Sequence, residues 1–221
     1  MRGTIEVTGL AVPMEEEPQP LFLRLKLDLD FPHPAQFIPL SPVIPKQAAT
    51  IGSNLPAYMT DPSEYQVSSP SDLWQRLRSE LSLIDRTDAD LWEAVAWTGQ
   101  RQTGDQDLAA AQNQYATNCA ACHGETGKGD GVIVRDLRVM EHDYMGHGLI
   151  RPPDFTDPSN LLGASPALLK GKMTRGGMGT GMPYWGPIFT NKQIDALVTY
   201  LYSFAFSMNE QLKTDSTHLH P

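Results

Sequence analysis

The sequence predicts a mainly α-helical protein, with a helical domain over residues 105–208. A Pro-rich, partly β-stranded extension over 1–70 and a helical linker or subdomain over 71–104 precede it, and 209–221 read as a polar tail. Three observations carry this. Apolar residues near both ends of 105–208 recur at helical spacing, eleven of the eighteen prolines crowd into residues 1–70, and both cysteines sit in the pentapeptide Cys119-Ala120-Ala121-Cys122-His123. An apolar content of 40% over 221 residues suffices for one ordinary domain with something added.

The extension comes first in the chain. Proline at that density argues against helix, because each ring removes an amide donor and clashes with the preceding turn. Leu21-Phe22-Leu23-Arg24-Leu25-Lys26-Leu27-Asp28-Leu29-Asp30-Phe31 puts leucine at nearly every odd position and a charge at most even ones. That period of two predicts a half-buried strand, with Thr4–Thr8 as a shorter one. Two strands rarely stand alone in water, so this region must lean on the helical domain or on a partner subunit. Residues 35–70, rich in Pro and Ser, predict an extended wrap or linker.

Two helices are expected next. Ser71 caps one carrying Leu73, Trp74, Leu77 and Leu81. Thr87-Asp88-Ala89-Asp90 caps another carrying Leu91, Trp92, Val95 and Ala96, closed by Gly99. The tryptophans read as core contacts. In the main domain, Leu108, Ala111 and Tyr115 share one face of a first helix. Thr190-Asn191-Lys192-Gln193 forms a capping box opening a last helix with Ile194, Leu197, Val198, Leu201 and Ala205 in its stripe.

Two cysteines are too few for a disulfide framework or a four-thiolate metal site. Three readings of the pentapeptide compete. A redox-active dithiol would need a strand before it, whereas 107–115 look helical. A zinc site would need a second ligand pair, which His142 and His147 offer weakly. Covalent haem attachment has C-x-x-C-H as its specific signature. Chemistry favours the third, since two thiols at this spacing add across the two vinyl groups of a porphyrin and the next imidazole lies under the iron.

At these residues the chain resembles the class I c-type cytochromes, over about 105–206. The resemblance implies crossed N- and C-terminal helices around one covalent haem c, with Ala111 and Tyr115 packing on Leu197 and Tyr200. The small position is usually glycine in the family, so Ala111 is a departure that widens the crossing slightly. It also implies a thioether as sixth ligand, from a loop before the last helix, and a neutral sulfur there raises the reduction potential. In Arg175-Gly176-Gly177-Met178-Gly179-Thr180-Gly181-Met182-Pro183-Tyr184-Trp185, Met182 is the expected ligand and Met178 the alternative. Met140, Met145 and Met173 read as packing residues.

Family members also orient the proximal imidazole with a carbonyl from a proline loop, a bond that fixes the tautomer. Arg151-Pro152-Pro153-Asp154-Phe155 resembles that loop, with Pro152 or Pro153 supplying the oxygen. The intervening 139–150 is an insertion without an assigned role, and its His142 and His147 read as exposed. The glycine run 124–131 lacks the Lys-Ser/Thr ending of a phosphate loop and reads as the turn after the ligand. Arg175, Lys172 and Trp185 are candidate donors to the haem propionates.

The implied function is one-electron transfer with His123 and Met182 as axial ligands. The chain would act as a soluble carrier or as the electron-carrying subunit of a respiratory or photosynthetic complex. A haem enzyme or a gas or redox sensor with an open sixth position is the alternative. Partners are then redox donor and acceptor proteins, expected among membrane-complex subunits. The net charge is −9, of which −6 lies on residues 1–104, so a basic nucleic-acid footprint is absent. No stretch approaches the roughly eighteen apolar residues of a membrane span. Family chemistry places haem attachment outside the cytoplasm, on the periplasmic face in bacteria. MRGTIEV lacks the apolar core of an export signal, so the natural precursor is expected to carry a signal or anchor absent from this sequence.

Overall fold

The computed structural model describes residues 19–30, 55–137, 151–177 and 180–217. The helices in chain order are α1 (Leu21–Arg24), α2 (Ala57–Thr60), α3 (Pro62–Val67), α4 (Pro70–Arg78), α5 (Asp88–Thr103) and α6 (Asp105–Asn118). They continue with α7 (Ala120–His123), α8 (Val132–Leu137), α9 (Pro158–Leu161), α10 (Pro166–Arg175) and α11 (Asn191–Thr217). Among the described residues there is no β-strand, as a mainly α class requires.

The strand expected over Leu21–Phe31 is therefore a correction. Pro20 precedes a single helical turn, Leu21–Arg24, and Lys26 at φ +52° turns the chain back. The odd-numbered leucines do not share one buried face. Leu23 and Leu25 are exposed, while Phe22 and Leu29 are buried. With no strand beside it among the described residues, an extended segment would leave its ladder groups unpaired, and the helical turn satisfies them locally. The other expected strand, Thr4–Thr8, lies outside the described residues. So does most of the expected wrap over 35–70, but its last part, from residue 57, is helical rather than extended.

Local chemistry sets most helix starts. Ser69 caps α4 with a reciprocal box to Asp72, and Pro70 at the first position is pre-set for helix. The cap is thus Ser69 and not Ser71, whose amide instead donates to the Leu162 carbonyl. Thr87 caps α5 as expected, and Asp90 completes a reciprocal box with it. This helix does not close at Gly99. It runs on to Thr103 and ends at Gly104, which has φ +81°. Gly99 serves packing: a Cβ there would sit 2.9 Å from the Tyr65 hydroxyl.

α6 and α11 make the expected crossed pair. Ala111 and Leu197 are buried, and the Tyr115 and Tyr200 rings lie 5.4 Å apart. Thr190 and Gln193 exchange the capping-box bonds at the head of α11, with the Thr190 amide donating to Gln193 Oε1 at 2.9 Å. Lys192 pairs with Asp107 across the crossing, and Lys170 ties α10 to Asp195 of α11 at 2.8 Å. Trp92, fully buried on α5, stacks on Trp74 of α4 at 5.7 Å and meets Phe206 of α11 at 6.0 Å. Residues of 71–104 thus enter the same hydrophobic cluster as the 105–208 helices.

Two buried phenols make this packing sensitive to alkali. Burial pushes Tyr65 up to about 12 and Tyr202 well above its ordinary value. The fold favours the protonated phenol, so this stability is complete below the unfolded value near 10 and is lost as pH rises toward the folded values. The urea midpoint is expected to fall when pH is raised from about 9 to about 11, with phenolate absorbance rising at the unfolding transition. An unchanged urea midpoint over that range would contradict this.

Candidate haem-binding site

The pentapeptide occupies one helical turn at the end of α6. Cys119 closes α6 with its amide on the Tyr115 carbonyl, and the Cys122 and His123 amides both donate to the Cys119 carbonyl, at 3.1 and 2.9 Å. Residues three and four apart on a turn share a face, so both thiols and the imidazole belong to one short element. Both thiols are free and half-buried. Burial, reinforced by Cys122, pushes the Cys119 thiol up to about 11.

The loop after the turn folds back on it. The Gly129 and Gly131 amides donate to the carbonyls of His123 and Cys122, at 2.8 and 3.1 Å, and the buried Tyr115 hydroxyl donates to the Gly124 carbonyl at 2.8 Å. The glycine run is therefore the turn expected after the ligand. Gly129, at φ +66°, passes so close to the Pro152 carbonyl that a Cβ would overlap the oxygen. Arg151 Nε donates to the Gly129 carbonyl and the Phe155 amide to that of Gly127, so 151–155 is laced to this loop.

His123 itself is buried enough that its imidazole is pushed down to about 4 and is neutral at pH 7. Its Nδ1 is buried and has no hydrogen-bond partner among the described residues. The bond expected from Pro152 or Pro153 is thus not made here, although both belong to the segment laced beside the ring's loop. What the ring does contact is Phe155, stacked at 4.8 Å and 14°. Phe155 leads on to Phe204 of α11 at 6.4 Å. The sequence assigns Phe155 no role; the available signal is an aromatic two residues after the proline pair.

The second candidate element follows α10. The Gly177 amide donates to the Met182 carbonyl at 3.2 Å, and the amides of Trp185 and Gly186 donate to the carbonyls of Met173 and Thr174. The loop is therefore pinned to the end of α10. Met182 is half-buried against the core, and Met178 lies outside the described residues. Trp185 stacks on Phe189 at 5.0 Å. Arg175 and Lys172, expected to face propionates, make other contacts. Arg175 Nη2 pairs with Asp30 at 2.6 Å and Lys172 Nζ donates to the Leu29 carbonyl at 2.6 Å. Arg175 Nε is buried without a partner among the described residues.

These residues fit a c-type haem. Two unbridged thiols that can form thioether links to the porphyrin, and on the same turn a neutral imidazole whose Nδ1 has no hydrogen-bond partner among the described residues, are the groups that a c-type haem requires. Zinc fits less well, because no group of three His, Cys, Asp or Glu side chains able to hold a metal occurs among the described residues. His142 and His147 lie outside them.

Comparison with known proteins agrees on the family. A family model described as Cytochrome c matches residues 108–205. No curated protein matches the chain. A solved chain of the Kuenenia stuttgartiensis reducing HAO-like protein complex is similar at 17% identity and a TM-score of 0.37, covering 63% of this chain and 73% of that one. So low a score carries no weight for fold or role. The family match coincides with the Cys119–His123 turn and the α6–α11 crossing, so this chain carries a c-type cytochrome domain with a covalently bound c-type haem.

Proposed function

We propose that the chain carries single electrons, either as a soluble carrier or as the electron-carrying subunit of a larger redox complex, with His123 and Met182 as axial ligands. The observation behind this is the Cys119–His123 turn, with its two free thiols and neutral imidazole inside the family-matched domain. When bound, the haem supplies the redox chemistry. The protein's residues do the holding and tuning. Cys119 and Cys122 tether, His123 ligates, and Phe155 braces the imidazole from one face. Nδ1 is left to donate to the Pro152 or Pro153 carbonyl once the other nitrogen is engaged. The unpartnered Arg175 Nε, with Trp185, is offered to a propionate.

Met182 supports the reading by its place on a loop pinned to α10. Beside it Tyr184 and Ile188 are exposed, an apolar surface suited to brief contact with redox partners. No helix among the described residues is long and apolar enough to cross a membrane. Partners on the extracytoplasmic face of a bacterial membrane suit the chemistry of haem attachment.

A spectroelectrochemical titration tests the reading. The expected result is a single one-electron transition with low-spin spectra in both states. High-spin bands in the oxidised protein would favour a haem enzyme or sensor with an open sixth position.

A further inference from the structure

We infer that residues 20–30 are a positioning strap for the Met182 loop, holding α10 so that the loop at its C-terminal end keeps its sulfur in place. This rests on the reading of Met182 as the sixth ligand.

Four contacts converge on a single stretch of α10. Phe22 and Leu29, both buried, close over Gly171, where a Cβ would meet Phe22 Cγ and Leu29 Cδ2 at 2.8 Å. At the next residue Lys172 Nζ donates to the Leu29 carbonyl, and one turn on, at the last residue of the helix, Arg175 Nη2 pairs with Asp30. The same helix end also receives the loop: the Trp185 and Gly186 amides donate to the Met173 and Thr174 carbonyls, and Gly177 to that of Met182. The end of α10 is thus held by both strap and loop. The Cys119–His123 turn is on other elements, so releasing the strap should loosen the sixth ligand while leaving covalent attachment intact.

Glycine at 171 makes the idea testable. In the interior of a helix, alanine is more favourable than glycine, so Gly171→Ala strengthens α10 itself while forcing Phe22 away. The displaced atoms are Phe22 Cβ and Cγ, close to the main chain, so the strap must move and not only a side-chain tip.

The experiment is a titration of the oxidised, matured full-length protein with imidazole, which competes for the sixth position. In Gly171→Ala, imidazole affinity is expected to rise about tenfold, equivalent to about 1.4 kcal/mol. In Asp30→Asn the rise should be about threefold, because a largely exposed ion pair is worth little. Tryptic cleavage after Arg24 and Lys26, both exposed, should accelerate in parallel, and the pyridine haemochrome spectrum should stay that of the parent. Leu73→Ala, a core truncation on α4, controls for general destabilisation and should leave imidazole affinity unchanged.

Affinities within twofold of the parent in both strap variants would overturn the inference. So would an equal rise in Leu73→Ala. Met182→Ala separates the two levels: if it leaves the parent's spectrum untouched, the ligand reading has failed and the strap inference with it. If it alters the spectrum while the strap variants behave as the parent, only the strap inference falls.

Discussion

Replacing Cys119 and Cys122 by serine is expected to abolish covalent haem. Expressed where c-type cytochromes mature, the doubly substituted chain should run without haem stain on a denaturing gel. Each single variant should keep at most one thioether link, shifting the reduced absorption band. The argument is geometric. Both thiols belong to one turn, they form no disulfide, and Cys119 is held as a protonated thiol, so neither has another role in the structure. His123→Ala is expected to leave attachment partly possible but remove the fifth ligand. The oxidised spectrum should then become high-spin, because no other described nitrogen base shares that turn. Full haem incorporation in the double serine variant would defeat the assignment.

Met182→Ala is the second large effect. Axial ligands set haem potentials over a range of about 0.8 V, and a thioether lies toward its upper part. Loss of the sulfur is therefore expected to lower the midpoint potential by on the order of 100 mV or more. The weak far-red band of thioether-ligated ferric haem should disappear with it. Met178→Ala should change neither. Reversal of that pattern, with Met178 sensitive and Met182 silent, would move the ligand four residues toward α10 within the same glycine-rich loop.

What was legible from the chain was chemistry held over short spans. The pentapeptide named its cofactor because thiol, thiol and imidazole lie within five residues. The cap at Thr87 and the box at Thr190 could be read because each closes over three residues. The α6–α11 crossing spans some eighty residues, yet the resemblance supplied it, and Tyr115 meets Tyr200 as expected.

What was illegible was decided by distant partners. The alternating Leu21–Phe31 pattern promised a strand. Residues 21–30 are instead shaped by the notch that Gly171 leaves on α10, which takes Phe22 and Leu29 and leaves Leu23 and Leu25 exposed. Gly99 reads as a helix stop in sequence, but the Tyr65 hydroxyl fills the space a side chain would need. Arg175 reads as a propionate donor, yet Asp30, 145 positions earlier, also meets its guanidinium through Nη2. Nothing local to Arg175 announces that partner.

The central claim is that Cys119 and Cys122 carry one haem through thioether bonds. Intact-mass spectrometry under denaturing, reducing conditions tests it most directly, on protein matured in a host that assembles c-type cytochromes. The account predicts a mass above that of the polypeptide by one haem, with the addition mapping to the peptide that contains residues 119–123. A bare polypeptide mass from a fully matured preparation, with both thiols open to alkylation, would contradict it.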